Sequence, residues 1–596
     1  MQYNPANPLI VQGDRTVLLE VDNPLYAEAR DALAPFAELE KSPEHIHTYR
    51  LTPLSLWNAA AAGMTDEAMI EALSTYSKFP LPPNLAVDLR ELVGRYGRIR
   101  LERVDGQLQL VSTDLTLLEE LARRKNVRDY LGERIDETRF AIDDAHRGII
   151  KQALISVGYP AEDLAGYTEG ASLAVALRDI SRSGHAFQVR DYQRNAVAAF
   201  HAGGDVRGGS GVVVLPCGAG KTIVGIAALV ALCKNTLVLT TSTTSVEQWR
   251  REILDKTDLD DASVATYTGE SKAIAPVTLA TYQIVTFRPK KDGEFPHFSL
   301  FSQRDWGLII YDEVHLLPAP VFRITADIQA RRRLGLTATL VREDNREEDV
   351  FSLIGPKKYD VPWRVLEQKG WIAEAHCHEI RLGLPDGTGR LEYAVAEWRD
   401  KFRIASENPV KDDIVEHLLK RHDGPDDRVL VIGQYIKQLR RISDRFEIPL
   451  ITGQTGNAER ELLYGQFRRG EIRRLVLSKV GNFAIDLPDA NVMVQVSGTF
   501  GSRQEEAQRL GRILRPKGDA ETASFYTLVT RDTREMDFAH HRQLFLTEQG
   551  YSYEIHDESD VADGANGHGD LGANGSGHGE VKSEGETEDR RVSLPE

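Results

Sequence analysis

The alternation of apolar and polar residues divides the chain into a mixed N-terminal part and two similar halves that follow it. From about residue 185, short β-branched runs alternate with segments of helical periodicity, and this order recurs in the second half. Strands that alternate with helices are typical of βαβ units in parallel sheets. We therefore predict an α/β protein with two parallel-sheet lobes, at 181–365 and 366–556.

Residues 1–130 are predicted to form a small α+β domain. A strand (17–21) precedes the helical segments, and a hairpin turns at Asp105-Gly106, a dipeptide that suits a two-residue turn. Thr113 or Asp114 is the predicted cap of the helix after the hairpin. The helical segments of this domain are predicted at 24–40, 53–62 and 65–76.

A second small domain is predicted at 131–180. An apolar-periodic helix there ends at Gly158-Tyr159-Pro160, which is a typical stop signal. The segment SLAVALRDI (172–180) predicts one further short helix before the first lobe begins.

Composition indicates a soluble, multidomain chain. At about 100–200 residues per domain, 596 residues predict three to five domains. The longest apolar stretch, at 223–233, is far shorter than the roughly 20 residues of a membrane-spanning helix, and the N-terminus lacks a secretory pattern. The cysteines Cys217, Cys233 and Cys377 form no C-x-x-C pair, which favours a reducing compartment. We expect a cytoplasmic protein with no membrane partner.

The net charge of −17 is concentrated at the C-terminus. Residues 551–596 hold 12 acidic and 3 basic residues, so −9 of the total lies there and the remaining chain is nearly balanced. Because local potential, and not the whole-chain sum, attracts a phosphate backbone, nucleic acid remains open as a partner. The tail at 557–596 is rich in Gly, Asp and Glu and is predicted to be disordered.

The clearest chemical motif is a glycine-rich loop between a strand (211–215) and an apolar helix. Small residues let backbone N–H groups surround phosphates, and the helix N-terminus adds a favourable potential. Lys221 is predicted to reach the β- and γ-phosphates and Thr222 to ligate Mg²⁺. Leu215 replaces the first glycine of the usual motif. The predicted ATP-binding loop consists of Leu215, Pro216, Cys217, Gly218, Ala219, Gly220, Lys221 and Thr222.

A later strand, WGLIIYDEVH (306–315), ends in the acidic residues that such a loop requires. Asp312 is predicted to make the outer contact to Mg²⁺. Glu313 is predicted to polarise the attacking water as general base, an effect worth about 10²–10⁴ in rate. Exposed acidic strand ends are common, but the position of Asp312, 91 residues after Lys221 in a βα series, favours the catalytic interpretation.

Three weaker motifs become informative when they are considered together with the glycine-rich loop and the acidic strand end. Thr337-Ala338-Thr339 marks another strand end, and the Gln193 amide has the donor and acceptor needed to recognise an adenine edge. Alone, Gln193 would be interpreted as a surface residue. Arg512 and Arg515 share a helix face, where two guanidiniums suit a γ-phosphate in a facing cleft and contribute about 10³–10⁵ in rate. A solvated basic helix is the alternative for that segment.

Two histidine pairs are interpreted as structural. His376 and His378 share one face of a predicted strand and have no second ligand pair nearby in the sequence. His45 and His47 alternate like surface imidazoles. We predict no metal site at either pair.

In order along the chain, these segments resemble the motifs of a superfamily 2 helicase: Gln193, LPCGAGKT, DEVH, TAT, SKVGNFAIDLP and QRLGRILRPK. The finer resemblance, over about 1–556, is to the xeroderma pigmentosum group B (XPB) helicase family in its prokaryotic form. DEVH, TSTTSVEQW (241–249), the RED sequence within LGLTATLVRED and the N-terminal NPLIVQGDRTVLLEVDNPLYAEAR carry that resemblance.

The resemblance implies two RecA-like lobes of the P-loop NTPase class, with ATP and Mg²⁺, or Mn²⁺ as an alternative, between them. It implies a damage-recognition-like domain at 131–180 and a thumb-like insertion near 390–412. The implied activity is ATP-dependent 3′→5′ unwinding or translocation of single-stranded, forked or damaged DNA. That activity would serve nucleotide excision repair and promoter opening at the nucleoid, with a nuclease or another repair protein as partner.

The resemblance also assigns roles to individual residues. Gln508 joins the ATP-binding set, and Arg512 and Arg515 join Lys221 and Glu313 as catalytic residues. The residues assigned to coupling between the motor and DNA are His315, Thr337, Thr339, Arg342, Glu343, Asp344, Thr241, Thr281 and Asp486.

Two alternatives remain at this stage. An RNA helicase would share most of the motifs, although DEVH and RED weigh against it. A non-catalytic scaffold for repair or transcription proteins would have no physical need of Lys221, Glu313, Arg512 or Arg515.

Overall fold

The computed structural model describes most of the chain. The described residues are 3–42, 45–216, 218–290, 295–328, 331–338, 347–361, 366, 367, 369, 371, 374–385, 387–478, 490–498, 522–549 and 551–563. Within these ranges, no helix combines the length and apolar character needed to cross a bilayer.

The first unit is a four-stranded antiparallel sheet with helices packed on it, in the strand order β1-β2-β4-β3. The hydroxyls of Thr52 and Thr65 cap two of its helices, which fixes where those helices begin. Of the segment 24–40, only the first part is helical and its end is a strand. The elements are β1 (Leu9–Val11), β2 (Thr16–Glu20), α1 (Tyr26–Leu33), β3 (Glu38–Lys41), β4 (Ile46–Arg50), α2 (Pro53–Ala61), α3 (Asp66–Tyr76) and α4 (Pro83–Val93).

His47 is buried, so its interpretation as a surface imidazole was wrong. It lies on β4, an inner strand of the sheet, where alternate side chains enter the core. The Tyr26 hydroxyl lies 3.1 Å from its Nδ1, and burial lowers the pKa of His47 to about 4. Its ring is therefore a neutral core residue.

The second unit is another four-stranded sheet, in the order β7-β6-β5-β8. The hairpin is confirmed, with Asp105 at φ +49° and Gly106 at φ +82°, and Asp114 is the helix cap, accepting the N–H of Leu117. This sheet takes strands from both sides of residue 130, so a boundary placed there divides it. The elements are β5 (Ile99–Val104), β6 (Gln107–Val111), α5 (Leu115–Arg123), α6 (Lys125–Arg128), β7 (Arg139–Ala141), α7 (Arg147–Ser156) and β8 (Ala161–Asp163).

The segment 172–180 is extended and not helical, contrary to the prediction. Its backbone hydrogen bonds are made to other parts of the chain: the N–H of Leu173 donates to the Cys233 carbonyl and that of Arg178 to the Lys256 carbonyl. These long-range partners satisfy the backbone groups that a helix would have satisfied locally.

The first lobe contains a seven-stranded parallel sheet in the order β11-β12-β10-β13-β14-β9-β15, as predicted. Its inner strands are buried on both faces. The elements are α8 (Asp191–His201), β9 (Ser210–Val214), α9 (Lys221–Leu232), β10 (Thr236–Thr240), α10 (Thr243–Lys256), β11 (Val264–Tyr267), β12 (Val277–Thr281), α11 (Tyr282–Val285), β13 (Leu308–Asp312), α12 (Ala319–Asp327), β14 (Arg332–Thr337), α13 (Glu347–Leu353) and β15 (Lys357–Asp360).

The second lobe repeats this architecture, with a seven-stranded parallel sheet in the order β18-β19-β17-β20-β21-β16-β22. The elements are β16 (Glu374–Leu382), α14 (Thr388–Val395), α15 (Trp398–Ser406), α16 (Val410–Arg421), β17 (Val429–Ile432), α17 (Ile436–Phe446), β18 (Leu450–Ile451), α18 (Asn457–Arg469), β19 (Arg474–Leu477), β20 (Val492–Gln495), β21 (Thr522–Thr530), α19 (Arg534–Gln549), β22 (Ser552–Asp557) and α20 (Glu558–Asp563). The predicted fold class, two parallel-sheet lobes after small α+β units, is therefore confirmed.

Regular structure extends past residue 557, where the tail was predicted to begin. Strand β22 pairs with β16, and the Glu558 carboxylate accepts the N–H of Gly383 at 3.0 Å. Of the residues predicted to be disordered, Asp557 ends β22 and 558–563 form α20, so backbone hydrogen bonds offset the entropic cost of ordering there. The remaining tail, 564–596, lies outside the described residues.

A buried ion cluster joins helix α7 to strand β8. Asp163 accepts hydrogen bonds from Arg147 at 2.8 Å and from Lys151 at 2.9 Å, and both cations are almost fully buried. Burial lowers the pKa of Lys151 to about 7, while Lys151 and Arg147 lower the pKa of Asp163 although burial opposes this. The cluster lies against lobe 1, where Gln152 donates to Asp349 at 2.6 Å.

We expect Asp163→Asn to destabilise the protein by about 3–5 kcal/mol, because it removes the carboxylate that two buried cations share. The matched control is Asp423→Asn, which removes an exposed partner of Arg473 and Arg474 and should cost at most about 1 kcal/mol. Urea denaturation of both variants measures the difference. Equal midpoints for the two variants would contradict a structural role for the cluster.

Candidate active site

The glycine-rich loop leaves the carboxyl end of β9 and turns into α9. The N–H of Leu215 donates to the Thr337 carbonyl at 3.0 Å, which continues the pairing of β9 with β14. Gly218 and Gly220 have φ angles of +80° and +75°. A Cβ on Gly220 would lie 2.6 Å from Nε2 of Gln193, so both the backbone conformation and the available space require glycine there.

Two side chains from α8 hold the carbonyl of Ala219 at the middle of this loop. The Tyr192 hydroxyl donates to it at 2.7 Å and the Gln193 amide at 3.1 Å. The Gln193 Oε1 accepts the N–H of Arg190 at 2.9 Å. With 3% of its surface exposed, Gln193 is a buried residue, and the surface alternative was wrong. Both sides of its amide are used to fix the loop to the start of α8.

Lys221 begins α9 and faces the acidic end of β13. Its Nζ lies 3.6 Å from Oε1 of Glu313, and both side chains are mostly buried. Glu313 has a φ of +51°, an unusual conformation for a residue with a long side chain. Such backbone strain costs about 1–3 kcal/mol and is found mainly where function requires a particular side-chain direction.

Asp312 is held by an aromatic residue of α10. Trp249 donates its indole N–H to Oδ2 at 2.8 Å, and the N–H of Glu313 donates to Oδ1 at 3.1 Å. The Tyr282 hydroxyl donates to the Asp312 carbonyl at 2.9 Å. Burial and then the neighbouring Glu313 carboxylate raise the pKa of Asp312 to about 6. The carboxylates of Asp312 and Glu313 thus lie close together at the edge of the sheet, and Lys221 at the end of the glycine-rich loop faces them.

His315 connects the acidic strand end to β14. Its Nδ1 lies 2.7 Å from the Thr337 hydroxyl and 3.6 Å from Oε2 of Glu313. Thr337 is fully buried. A continuous set of contacts therefore runs from Lys221 through Glu313 and His315 to the strand end that precedes the RED sequence.

Thr241 and Thr281 lie at the ends of β10 and β12, on the same edge of the sheet. The Thr281 hydroxyl is buried and caps α11 by accepting the N–H of Ile284 at 3.2 Å. The Thr241 carbonyl accepts a hydrogen bond from Gln283 at 2.5 Å. Thr281 thus has a structural role as a helix cap, while Thr241 is partly exposed.

The donor set suits a nucleotide with a divalent cation. Thr222 and Asp312 provide a hydroxyl and a carboxylate, the oxygen ligands that Mg²⁺ prefers. Burial first and then the neighbouring Glu313 carboxylate raise the pKa of Asp312, and a bound cation would offset both effects. Lys221 and the glycine-rich backbone provide the complementary positive potential for phosphates.

Several predicted residues lie outside the described residues. They are Cys217, Thr339, Arg342, Glu343, Asp344, Asp486, Gln508, Arg512 and Arg515.

The sequence argument missed the residues that support the site. Trp249, Tyr192 and Tyr282 each donate a hydrogen bond to it, as described above. Trp249 lies within the otherwise polar helix TTSVEQWRREILDK, and this unusual position could have indicated that its side chain supports the site. Arg190 also stacks on Trp371 at 4.5 Å, which joins the start of α8 to the residues that lead into lobe 2. That contact has no signature in the sequence.

Three segments of the chain match models of known protein families. Residues 366–568 match the family model described as ERCC3/RAD25/XPB C-terminal helicase. Residues 9–136 match "Helicase conserved C-terminal domain", and residues 186–342 match "Type III restriction enzyme, res subunit".

Full-length relatives extend these matches over nearly the whole chain. The chain is 53% identical to a "DNA 3'-5' helicase XPB" of Mycobacterium tuberculosis, over 93% of this chain and 98% of that protein. It is 54% identical to the protein of the same name from Kineococcus radiotolerans, over 94% and 98%. It is 34% identical to a "General transcription and DNA repair factor IIH helicase/translocase subunit XPB" of Enterocytozoon bieneusi, over 92% of each chain. With this identity over almost its entire length, and with the loop and acidic strand end assembled at one sheet edge, the chain belongs to the XPB helicase family.

Proposed function

We propose that this protein is an ATP-dependent 3′→5′ DNA helicase or translocase. The observation that carries the proposal is the contact of Lys221 with Glu313 beside the Trp249-bound Asp312, in a chain 53% identical to a relative named for that activity. A scaffold would have no need for a mostly buried lysine and two mostly buried carboxylates that converge on a glycine-rich loop.

The residues of lobe 1 have distinct proposed tasks. Lys221 exchanges its contact with Glu313 for the β- and γ-phosphates, which releases the Glu313 carboxylate to accept a proton from the attacking water. Asp312 and Thr222 hold Mg²⁺, which supplies charge neutralisation at the phosphates. Gln193 and Tyr192 keep the loop open by binding the Ala219 carbonyl. Contact of Gln193 with an adenine requires exchange of one of its present hydrogen bonds.

The residues of lobe 2 complete the site in the proposal. Arg512 and Arg515 stabilise charge on the γ-phosphate when the lobes close, and Gln508 belongs to the same nucleotide contact. The path through His315 and Thr337 transmits closure to Arg342, Glu343 and Asp344. Thr241, Thr281, Thr339 and Asp486 are proposed for the same coupling.

The thumb-like insertion is proposed as a contact to the DNA strand. Helix α14 exposes Leu391 and Val395, with 65% and 77% of their surfaces accessible. Lys401 lies over the Tyr393 ring at 5.4 Å. Aromatic and basic groups together are what a single strand binds, by stacking and by charge.

We propose a role in DNA repair of the nucleotide excision type, with a nuclease or another repair protein as partner. The support is the name of the E. bieneusi relative, which includes DNA repair and transcription. Residues 131–180, the damage-recognition-like segment of the proposal, lie against lobe 1 through Gln152, so a contact there with altered DNA has a direct route to the motor.

We expect ATP hydrolysis to be stimulated by single-stranded and forked DNA and only weakly by RNA. The reason is that the basic and aromatic contacts of a DNA translocase fit the DNA strand along which it moves. The measurement is turnover with no nucleic acid, single-stranded DNA, forked duplex and RNA, at two salt concentrations. Stimulation by DNA should fall at the higher salt as phosphate contacts are screened. RNA stimulation equal to or above DNA stimulation would indicate an RNA helicase.

We expect Lys221→Ala and Glu313→Gln to reduce ATP turnover by at least about 100-fold, with different effects on ATP binding. Glu313→Gln removes the general base and keeps the phosphate contacts, so its ATP affinity should remain close to wild type. Lys221→Ala should lose affinity as well. The control is Glu471→Gln, at an exposed lobe 2 acid. Turnover above a few per cent of wild type in both site variants would contradict the assignment.

We expect the triple change of Arg342, Glu343 and Asp344 to Ala to preserve most DNA-stimulated ATP hydrolysis while forked-duplex unwinding falls steeply. The reason is that they follow Thr337, whose hydroxyl contacts His315, by only a few residues in the sequence. Both activities are measured on one preparation. If the triplet is only a solvated turn, neither activity changes much, and unwinding that falls in proportion to hydrolysis would also reject the coupling role.

A further inference from the structure

Three ligand-type side chains meet on one face of the lobe 2 sheet, away from the phosphate loop. In the parallel pair β16–β22, His378 is in register with Glu554, and Ile380 is in register with His556. Because alternate residues of a strand share a face, His378, Glu554 and His556 all lie on the same side of the sheet. They are half-buried or more, and 175 residues of chain separate His378 from Glu554.

The three donor atoms form a nearly equilateral triangle. His378 Nδ1 lies 3.1 Å from His556 Nε2. The same two nitrogens each lie 3.3 Å from Oε2 of Glu554. One donor atom from each side chain is therefore close enough to the other two for all three to bind one ion.

The size of the triangle is that of a metal site. Zn²⁺ binds imidazole nitrogen at about 2.0–2.1 Å and carboxylate oxygen at about 2.0–2.2 Å, which in a tetrahedral site separates neighbouring ligand atoms by about 3.3–3.5 Å. A charge-assisted hydrogen bond between imidazolium and carboxylate is shorter, about 2.7–2.9 Å. The two nitrogen–oxygen distances match the metal geometry better than the hydrogen-bonded one.

The surroundings fix one of the imidazoles in place. The His378 ring stacks on Tyr526 of β21, with centroids 5.0 Å apart and an interplanar angle of 17°. The Tyr526 hydroxyl is 2.9 Å from Nε2 of His422. A ligand held in one orientation loses little entropy when it binds an ion.

We propose that His378 Nδ1, His556 Nε2 and Glu554 Oε2 bind one divalent transition-metal ion, with Zn²⁺ as the ion that this donor set favours, and with a fourth position open to water. Two nitrogens and one oxygen form a borderline donor set, which suits Zn²⁺ better than Mg²⁺ or Ca²⁺. The ion ties the edge strand β22 to β16. Its function is structural, and it is independent of the Mg²⁺ proposed beside Thr222.

The test is Zn²⁺ binding by the full chain after removal of metals with a chelator. We expect about one tightly bound Zn²⁺ per chain, measured by competition with a chromogenic chelator. We expect Co²⁺ in its place to give the intense visible absorption of a tetrahedral site. His556→Gln and Glu554→Gln should each weaken Zn²⁺ binding by more than about 100-fold, because loss of an outer-shell partner alone costs roughly 10- to 100-fold.

Two controls separate this site from others. His417→Gln changes an imidazole of α16 that is outside both the triangle and the residues that support it, and His568→Gln with His578→Gln removes the histidines of the tail. Both should keep the wild-type affinity. Glu554 is 39% exposed, so its amide variant should fold, which circular dichroism checks. Unchanged Zn²⁺ affinity in His556→Gln and Glu554→Gln, or loss of binding in the tail variant alone, would overturn the proposal.

Discussion

The phosphate site depends on the parallel register of three neighbouring strands. Val214 of β9 pairs with Thr337 of β14, and Leu336 of β14 pairs with Asp312 of β13. Because parallel strands present their carboxyl ends at one edge, this register alone brings the glycine-rich loop and the acidic strand end together. These groups come from positions nearly 100 residues apart, so backbone hydrogen bonds, and not local sequence, set the distance from Lys221 to Glu313.

Polar groups are also removed from solvent at this edge of the lobe 1 sheet, and each of them requires a hydrogen-bond partner. The Ala219 carbonyl is satisfied by Tyr192 and Gln193, and the Asp312 carboxylate by Trp249. Leaving such a group unpaired costs about 1–3 kcal/mol. The supporting side chains thus hold the loop and the carboxylate in position. This rigidity is what allows Glu313 to persist in a strained left-handed conformation.

Local patterns predicted the elements whose hydrogen bonds are local. The hairpin at Asp105-Gly106, the cap at Asp114 and the helix after the glycine-rich loop were all visible in the sequence. The loop and Asp312-Glu313 were predicted because their motifs are contiguous. The segment 172–180 was predicted wrongly, because its apolar residues suit a helix while its backbone is hydrogen-bonded to α9 and α10. Trp249 was missed because its partner lies 63 residues away.

The C-terminal strand β22, which lies within the predicted lobe 2 except for its last residue, completes the sheet of that lobe. In β22, Tyr553 packs against the apolar core, while Glu554 and His556 lie on the opposite, polar face. A half-polar alternation followed by an acidic tail resembles a solvated segment, yet the strand pairs along most of β16. Without β22, strand β16 would become an exposed edge beside a core that contains the buried Cys377. Strand β22 is therefore part of lobe 2, and the polar face that it completes is where the His378, Glu554 and His556 donors meet.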